Sequence, residues 1–552
     1  MNIELLLAHA DDHRPILAEG IPPAALSAAP RPAELPLPTH LRYDAADPES
    51  LPDQRWGVIA PEGPAGDRLL GAVAPLCQAR REAQGADVRV YRVPAGMGPV
   101  DAARWKEEVY WDRSVREEDL PRYLLILGDA DQVSWDLQLR LASDTFIGRV
   151  AFAAEAGYAA YADKVLRWER AEAAAAARAV FLTVRDGTAA TTLGHEALMK
   201  PTLELASARK AEGVFPASEI VAAFDDVLSP LDALLEHAAR REPGMLFTIS
   251  HGIGAPRGGW KSLAEQRALQ GAMALGLGQR LAAEDLRSRP FLPGGVWFLL
   301  ACYGAGTPSV SAYRHWLERM RAAGQYAGRV DAVLAGLPAG SAPPFVAALP
   351  QAALENPDGP LAVIGHVDLA WTYSFQDAGA PRGSRPARFQ GIFRALADGG
   401  RAGVAYHELL RFFAETSVEL TTLDNEDARA GAAAAGDAEL ARKAHLWMLR
   451  NDLAGYVLLG DPAARLPIAR TPGRPRPPAT LPDVQAIVGF KLKAERKVAL
   501  DPRRMEEAVL ELLGEPEAQD AIADRVGISR SELRRWADIY RDAGRAALAK
   551  IR

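Results

Sequence analysis

Short, continuous apolar runs separated by helix-length stretches restrict the fold of this 552-residue chain more than any single motif does. WGVIAP from Trp56, YLLILGDADQV from Tyr123, ARAVFLTV from Ala177, PGMLFTIS from Pro243, GGVWFLLA from Gly294, PLAVIGH from Pro360 and GYVLLGD from Gly455 are each short enough for one strand. Most lack the apolar/polar alternation of a half-solvated strand, which predicts strands buried on both faces. ADVRVYRVP, from Ala86, keeps period-two character. Between these runs, GDRLLGAVAPLCQARREAQG reads as one amphipathic helix and GYAAYADKVLRWERAEAAAAA as another helical stretch. Strands alternating with helices predict βαβ units, hence an α/β fold with a mainly parallel central sheet.

Bulk properties narrow the function classes. The chain is long enough for two to four domains, and its 49% hydrophobic and 24% charged residues are those of an ordinary globular protein. A formal net charge of -7 gives no global attraction to nucleic acid or anionic lipid. Only two cysteines occur, Cys77 and Cys302, so a disulfide framework is not expected and a reducing compartment is favoured. The start, MNIELLLAHADDHRP, has no basic n-region followed by a signal-type apolar stretch, and no apolar run reaches the roughly 20 residues that span a bilayer. A cytoplasmic protein without a membrane partner is the expectation. Residues 1–50, rich in Pro and Ala, read as an irregular arm laid over a later domain.

Two of the buried runs end on chemistry. PGMLFTIS leads directly into His251 and GGVWFLLA directly into Cys302. In an open parallel sheet, ligands bind beyond the carboxyl ends of the strands, so adjacent strands would bring the two side chains together. A thiol attacks as thiolate and needs a base beside it. Gly252 follows His251, and its amide, with that of Cys302, could hold an oxyanion. Taken from the residues alone, the bland alternative stands beside this one: a cysteine closing an apolar strand can be an inert small hydrophobe. His366 ends a third buried run, in a Gly-His order, and reads as structural or pocket-lining. No HExxH, CxxC or phosphate loop occurs, so neither a metal nor a cofactor is expected.

TISHGIGAPRGGW followed by VWFLLACYGAG resembles the His-Gly and Ala-Cys segments of caspase-fold peptidases, among them caspases, gingipains, clostripain and the CHAT group. YLLILGDADQV, SDTFIGRV with YADKVLRWER, and YVLLGDPAARL look like segments of the gingipain branch and its CHAT relatives, in the same order. The resemblance spans roughly residues 56–468 and implies a caspase-like three-layer sandwich. It implies a thiol endopeptidase with Cys302 as nucleophile, His251 as base, and Gly252 and Cys302 as the oxyanion hole. It also implies a protein or peptide substrate and a regulated or zymogen form acting in bacterial defence or cell-death signalling. A pocket acid would favour cleavage after Arg or Lys. Asp144, in LASDTFIGRV, and Asp368, in VIGHVDLAWTYSF and flanked by Trp371 as a wall, are the two candidates. Activation loops would lie within residues 324–344 or 379–389.

These readings divide the chain into an arm (1–50), a gingipain-like α/β subdomain (51–175), a caspase-like catalytic domain (176–470), a proline-rich linker (471–483) and a small all-α domain (484–552). In that last domain, AIADRVGISRSELRRW resembles a helix-turn-helix, with Ser529 as a cap and Arg530, Arg534 and Arg535 on the second helix. Acidic and basic residues nearly balance there, so a partner protein fits at least as well as DNA. The alternatives to a peptidase are a catalytically silent caspase-like scaffold and a DNA-binding regulator, both acting through these helices.

Overall fold

The computed structural model describes residues 2–17, 20–22, 47–223, 230–324, 326, 328–338, 340, 342–375, 386–430 and 437–469, together with 509–512, 522, 523, 525, 533 and 537. Two compact units are present, Met1–Thr471 and Pro472–Arg552.

In the first unit the strands are β1 (Leu7–His9), β2 (Trp56–Pro61), β3 (Arg89–Val93), β4 (Tyr123–Leu127), β5 (Phe146–Val150), β6 (Ala177–Thr183), β7 (Ala217–Ala222), β8 (Gly244–Ile249), β9 (His251–Gly254), β10 (Met273–Gly276), β11 (Gln279–Leu281), β12 (Val296–Leu300), β13 (Gly306–Thr307), β14 (Phe345–Val346), β15 (Ala362–His366) and β16 (Tyr456–Gly460). Ten of them form one sheet in the order β3-β2-β4-β5-β16-β15-β12-β8-β6-β7. The expected α/β class and mainly parallel sheet are what is found, and the strands of residues 51–175 and 176–470 share that one sheet. Its central strands present every residue to the interior, as in β4 and β12, whereas the edge strands β3 and β7 leave residues partly or fully exposed. Successive residues of β12 enter two separate cores: Val296, Phe298 and Leu300 on one face, Trp297 and Leu299 on the other. Apolar layers on both faces explain the unbroken apolar runs of the sequence. Each such large side chain contributes roughly 1.5–3 kcal/mol on burial.

One feature departs from a simple parallel sheet. Strands β3, β2, β4, β5 and β16 run one way, and β15, β12, β8, β6 and β7 run the other, the two blocks meeting at the antiparallel pair β15/β16. By register, the carboxyl ends of β4 and β16 lie level with the start of β12 rather than its end. Their Gly-Asp loops are therefore not part of the edge that carries His251 and Cys302. Asp461, after β16, instead forms a buried ion pair with Arg80 at 2.6 Å and accepts from the Trp56 indole at 2.9 Å.

The helix expected from Gly66 is two, Gly63–Ala72 and Ala74–Gln84, hinged at Val73. Pro75, in the first turn of the second, cannot supply the amide that would continue the first. In the second unit, Val509, Leu512, Ile522, Ala523, Leu533 and Ala537 form a small core. Ser529, Arg530, Arg534 and Arg535, on which the helix-turn-helix reading rested, lie outside the described residues, as does most of 379–389.

Candidate active site

Strands β8 and β12 are adjacent and parallel, with Ile249 opposite Leu300. His251 and Cys302 each stand two residues further on, at the same edge, and both are fully buried. Contact there is intimate: a Cβ on Gly252 would lie 1.8 Å from the Cys302 carbonyl oxygen. No side chain can be accommodated at 252, a constraint of close approach rather than of φ. Beyond the thiol, Tyr303 takes a left-handed φ of 57°. For a non-glycine residue this costs roughly 1–2 kcal/mol, strain of the kind that gathers at functional sites.

The imidazole of His251 has two distinct sides. Nε2 lies 2.9 Å from Thr188 Oγ1 and 3.4 Å from Asp186 Oδ2, while Nδ1 has no hydrogen-bond partner among the described residues. Asp186 is itself fixed, since its Oδ1 accepts from the hydroxyls of Thr188 at 2.8 Å and Thr191 at 2.7 Å. Burial pushes the imidazole down to about 4, against the opposing pull of Asp186 and of the nearby Leu5 carbonyl. Burial likewise pushes the Cys302 thiol well up. Base and nucleophile therefore rest as a neutral pair. The thiol is held by Ala370, whose amide donates to Sγ at 3.2 Å and whose carbonyl accepts from it at 3.6 Å.

The amino-terminal segment contributes to this burial. Instead of an irregular arm throughout, β1 lies parallel to β9, with Leu7 opposite Gly252 and His9 opposite Gly254. Just before it, the Leu6 carbonyl accepts from two amides at once, Gly252 at 2.8 Å and Cys302 at 3.2 Å. These are the two amides that the sequence nominated. The Leu6 amide donates to the Ala370 carbonyl at 3.5 Å, and Leu5 forms an antiparallel bridge with Trp371.

The remaining nominated residues fall in different places. Trp371 is fully buried, its indole edge-on to Tyr313 and Trp316, each at 5.7 Å, and its backbone borders Leu5. Asp368 is close to Cys302, but its carboxylate accepts from the amides of Leu369 and Ala312, both at 2.8 Å. Burial pushes that carboxyl up to about 6. Asp144 precedes β5, three strands from β12, and pairs with Lys106 at 2.5 Å. The structure thus joins Cys302, His251, Gly252, Asp368 and Trp371, and does not join Asp144 to them.

Asp186, Thr188, Asp452 and the segment around Leu6 were missed in the sequence. For Asp186 and Thr188 a signal existed: VRDGT follows the apolar run at Ala177, and β6 adjoins β8. For Leu6, the run IELLLA stood out only as too short for a signal peptide. His366, read from the sequence as structural or pocket-lining, is fully buried with both nitrogens engaged: Nδ1 accepts from the Asp368 amide at 3.1 Å and Nε2 donates to the Asp452 carbonyl at 3.0 Å. Among the described residues, no cluster of three His, Cys, Asp or Glu side chains could hold a metal, and no helix is long and apolar enough to cross a membrane.

No family model and no curated protein matches this chain. Solved structures with which it shares a partial likeness include one described as a protease, at 11% identity over 77% of this chain and 80% of that one, with a TM-score of 0.44. A second is the Arg-specific cysteine proteinase gingipain R, at 11% identity over 75% and 78%, with a TM-score of 0.43. A third is the complex of the pro- and mature domains of RgpB from Porphyromonas gingivalis, at 12% identity over 74% and 79%, with a TM-score of 0.43.

Proposed function

We propose that this chain is a cysteine endopeptidase with Cys302 as nucleophile and His251 as general base and acid. The observation that carries this reading is the pair of amides, Gly252 and Cys302, converging on one peptide carbonyl beside a thiol and an imidazole. Two N–H groups aimed at one carbonyl oxygen are what stabilises the charge of a tetrahedral intermediate. In the reaction, His251 Nδ1 takes the thiol proton and Sγ attacks the carbonyl carbon. The oxyanion gathers on the Gly252 and Cys302 amides. Collapse then breaks the peptide bond, with His251 returning the proton to the leaving amine, and water hydrolyses the thioester to a carboxylate and the free thiol. Asp186 and Thr188 hold the ring by Nε2, which leaves Nδ1 for chemistry and stabilises the imidazolium as it forms.

A preference for Arg or Lys would rest on Asp368 or Asp144, and both carboxylates are engaged, with amides and with Lys106 respectively. The scaffold reading is favoured by one observation, the complete burial of both Cys302 and His251. A peptidyl acyloxymethyl ketone, which alkylates a catalytic cysteine through the same oxyanion geometry, distinguishes them. Labelling of Cys302 that is lost in His251→Ala supports the peptidase. Labelling unaffected by His251→Ala, or absent when Cys302 is freely reached by a small alkylating agent, removes it.

A further inference from the structure

Residues 2–17 cross the site as a peptide substrate would. On the acyl side of the Leu6 carbonyl, Leu5 bridges Trp371 in antiparallel fashion and the Leu6 amide donates to Ala370. On the amine side, Leu7 to His9 continue as a strand along Gly252 to Gly254. Backbone of this segment is therefore recognised on both sides of the Leu6–Leu7 bond, the mode in which an extended peptide adds a strand to an exposed edge. Side chains are recognised too: Leu5, Leu6 and Leu7 are each fully buried.

The segment is also clamped in place. Ile3 and Ile21 exchange backbone hydrogen bonds at 2.7 and 2.9 Å, and the Ile16 amide donates to the Leu7 carbonyl at 2.9 Å. Arg329 donates to the Gly20 carbonyl at 3.1 Å, His9 Nδ1 lies 3.1 Å from the Ala255 carbonyl, and Asp12 pairs with Arg257 at 2.9 Å. A substrate-like strand tied to the body of the protein from both sides covers the thiol and the imidazole.

We propose that residues 2–17 are a built-in pseudosubstrate, which keeps the resting chain latent by filling the peptide cleft with Leu6 in the acyl position. The proposal rests on the peptidase reading for its meaning and adds a substrate class. The cleft takes extended peptides with an apolar side chain, leucine, immediately before the bond to be cut. Displacing the strap admits water to the dyad, frees the two amides, and eases the burial that holds the thiol and imidazole neutral.

The test uses the full chain carrying Cys77→Ser, so that Cys302 is its single thiol. Carboxymethylation by iodoacetamide is timed by intact mass in this parent and in Leu6→Asp, which places a charge where leucine is buried. Leu6→Ala is carried in parallel and is expected to act in the same direction more weakly should Leu6→Asp fail to fold. Thermal melting identifies folded variants. At least tenfold faster alkylation of the folded variant is expected, with protection restored by a synthetic peptide NIELLLAH added in trans, and not by the same peptide with Arg at the Leu6 position. A rate within twofold of the parent in a folded variant overturns the strap. Equal protection by both peptides overturns the leucine preference. Fluorogenic acyl-leucine peptides are assayed on the same samples. Faster alkylation without turnover leaves the strap standing and removes the peptidase reading, whereas turnover without faster alkylation removes the strap.

Discussion

His251 follows and His366 ends one of the two strands that flank β12, at one edge of one sheet, and burial pushes both imidazoles down to about 4. What separates them is the use of their nitrogens. His366 has spent both, one on the Asp368 amide and one on the Asp452 carbonyl, whereas the side chains that hold His251 do so through Nε2, and its Nδ1, with the Leu5 carbonyl nearby, makes no hydrogen bond among the described residues. Position in a fold and a shifted pKa are shared by the proposed base and by a histidine with both nitrogens engaged. The spare valence is not, and that is the property to look for when two candidates stand side by side.

The comparison breaks most visibly if the two rings are deleted in a Leu6→Asp background. His251→Ala is expected to lower kcat/KM on acyl-leucine peptides about 10³-fold, within the range for loss of a general base. His366→Ala is expected to keep kcat/KM within about threefold per folded molecule, while losing roughly 3 kcal/mol in denaturant unfolding, because two buried backbone groups lose their partner and a cavity remains. A comparable loss of turnover in both would erase the distinction.

A second contrast uses the glycines against which each site packs. Gly252→Ala places Cβ 1.8 Å from the Cys302 carbonyl oxygen, and Gly455→Ala places it 2.0 Å from His366 Nε2. The first should cost about 10²-fold in kcat, as expected when one oxyanion donor is moved. The second should lower the melting temperature and leave kcat alone.

The carboxylates sharpen the same point with a smaller effect. Asp186→Asn is expected to reduce kcat about tenfold, with a shifted pH-rate profile and a melting temperature close to the parent's. Asp452, whose oxygens accept from the amides of Trp371 at 2.7 Å and Ser374 at 2.9 Å, is structural. Asp452→Asn should therefore lower the melting temperature without shifting the profile.

The smallest effect is thermodynamic. Folded His251 stays neutral down to about pH 4, whereas the unfolded imidazole takes its proton near 6.5. The unfolded state binds more protons across that window, so this residue removes stability as pH falls from 6.5 to 4. Relative to His251→Gln, the parent should lose about 1.4 kcal/mol per pH unit there. His366 carries the same sign, but burial holds the neighbouring Asp452 carboxyl up at about 7, so the folded state keeps a proton that the unfolded carboxyl has released. These two terms offset each other between about pH 4 and 6.5, and the double variant His366→Gln/Asp452→Asn should leave the slope of the unfolding curve against pH unchanged.

The sequence was legible where chemistry coincides with local pattern. Strands such as VWFLL and YLLIL reveal themselves by unbroken apolar runs, and His251, Gly252 and Cys302 by ending two of them. The reversal at β15/β16 was not legible, because apolar runs carry no strand direction. Asp186 was missed because its role depends on β6 lying next to β8, a pairing across more than 60 residues. Asp144 and Asp368 looked alike as free carboxylates in the sequence, and only tertiary structure supplies the lysine for one and the amides for the other. Leu5 and Leu6 gave no periodicity to read, since their strand is paired with partners almost 250 and 370 residues away.

The antiparallel seam has a consequence for the order in which the molecule can be made. β16, nearly the last segment of its unit, is the strand that joins β5 to β15. Until residue 460 has left the ribosome, each half-sheet carries a raw edge, and non-local pairing of this kind is slow to form and open to aggregation. Leu6, which precedes them in the chain, waits for Gly252, Cys302 and Trp371 before it has anywhere to dock. A nascent chain of this design would be covered at the edge that carries His251 and Cys302 only once synthesis of that edge was finished.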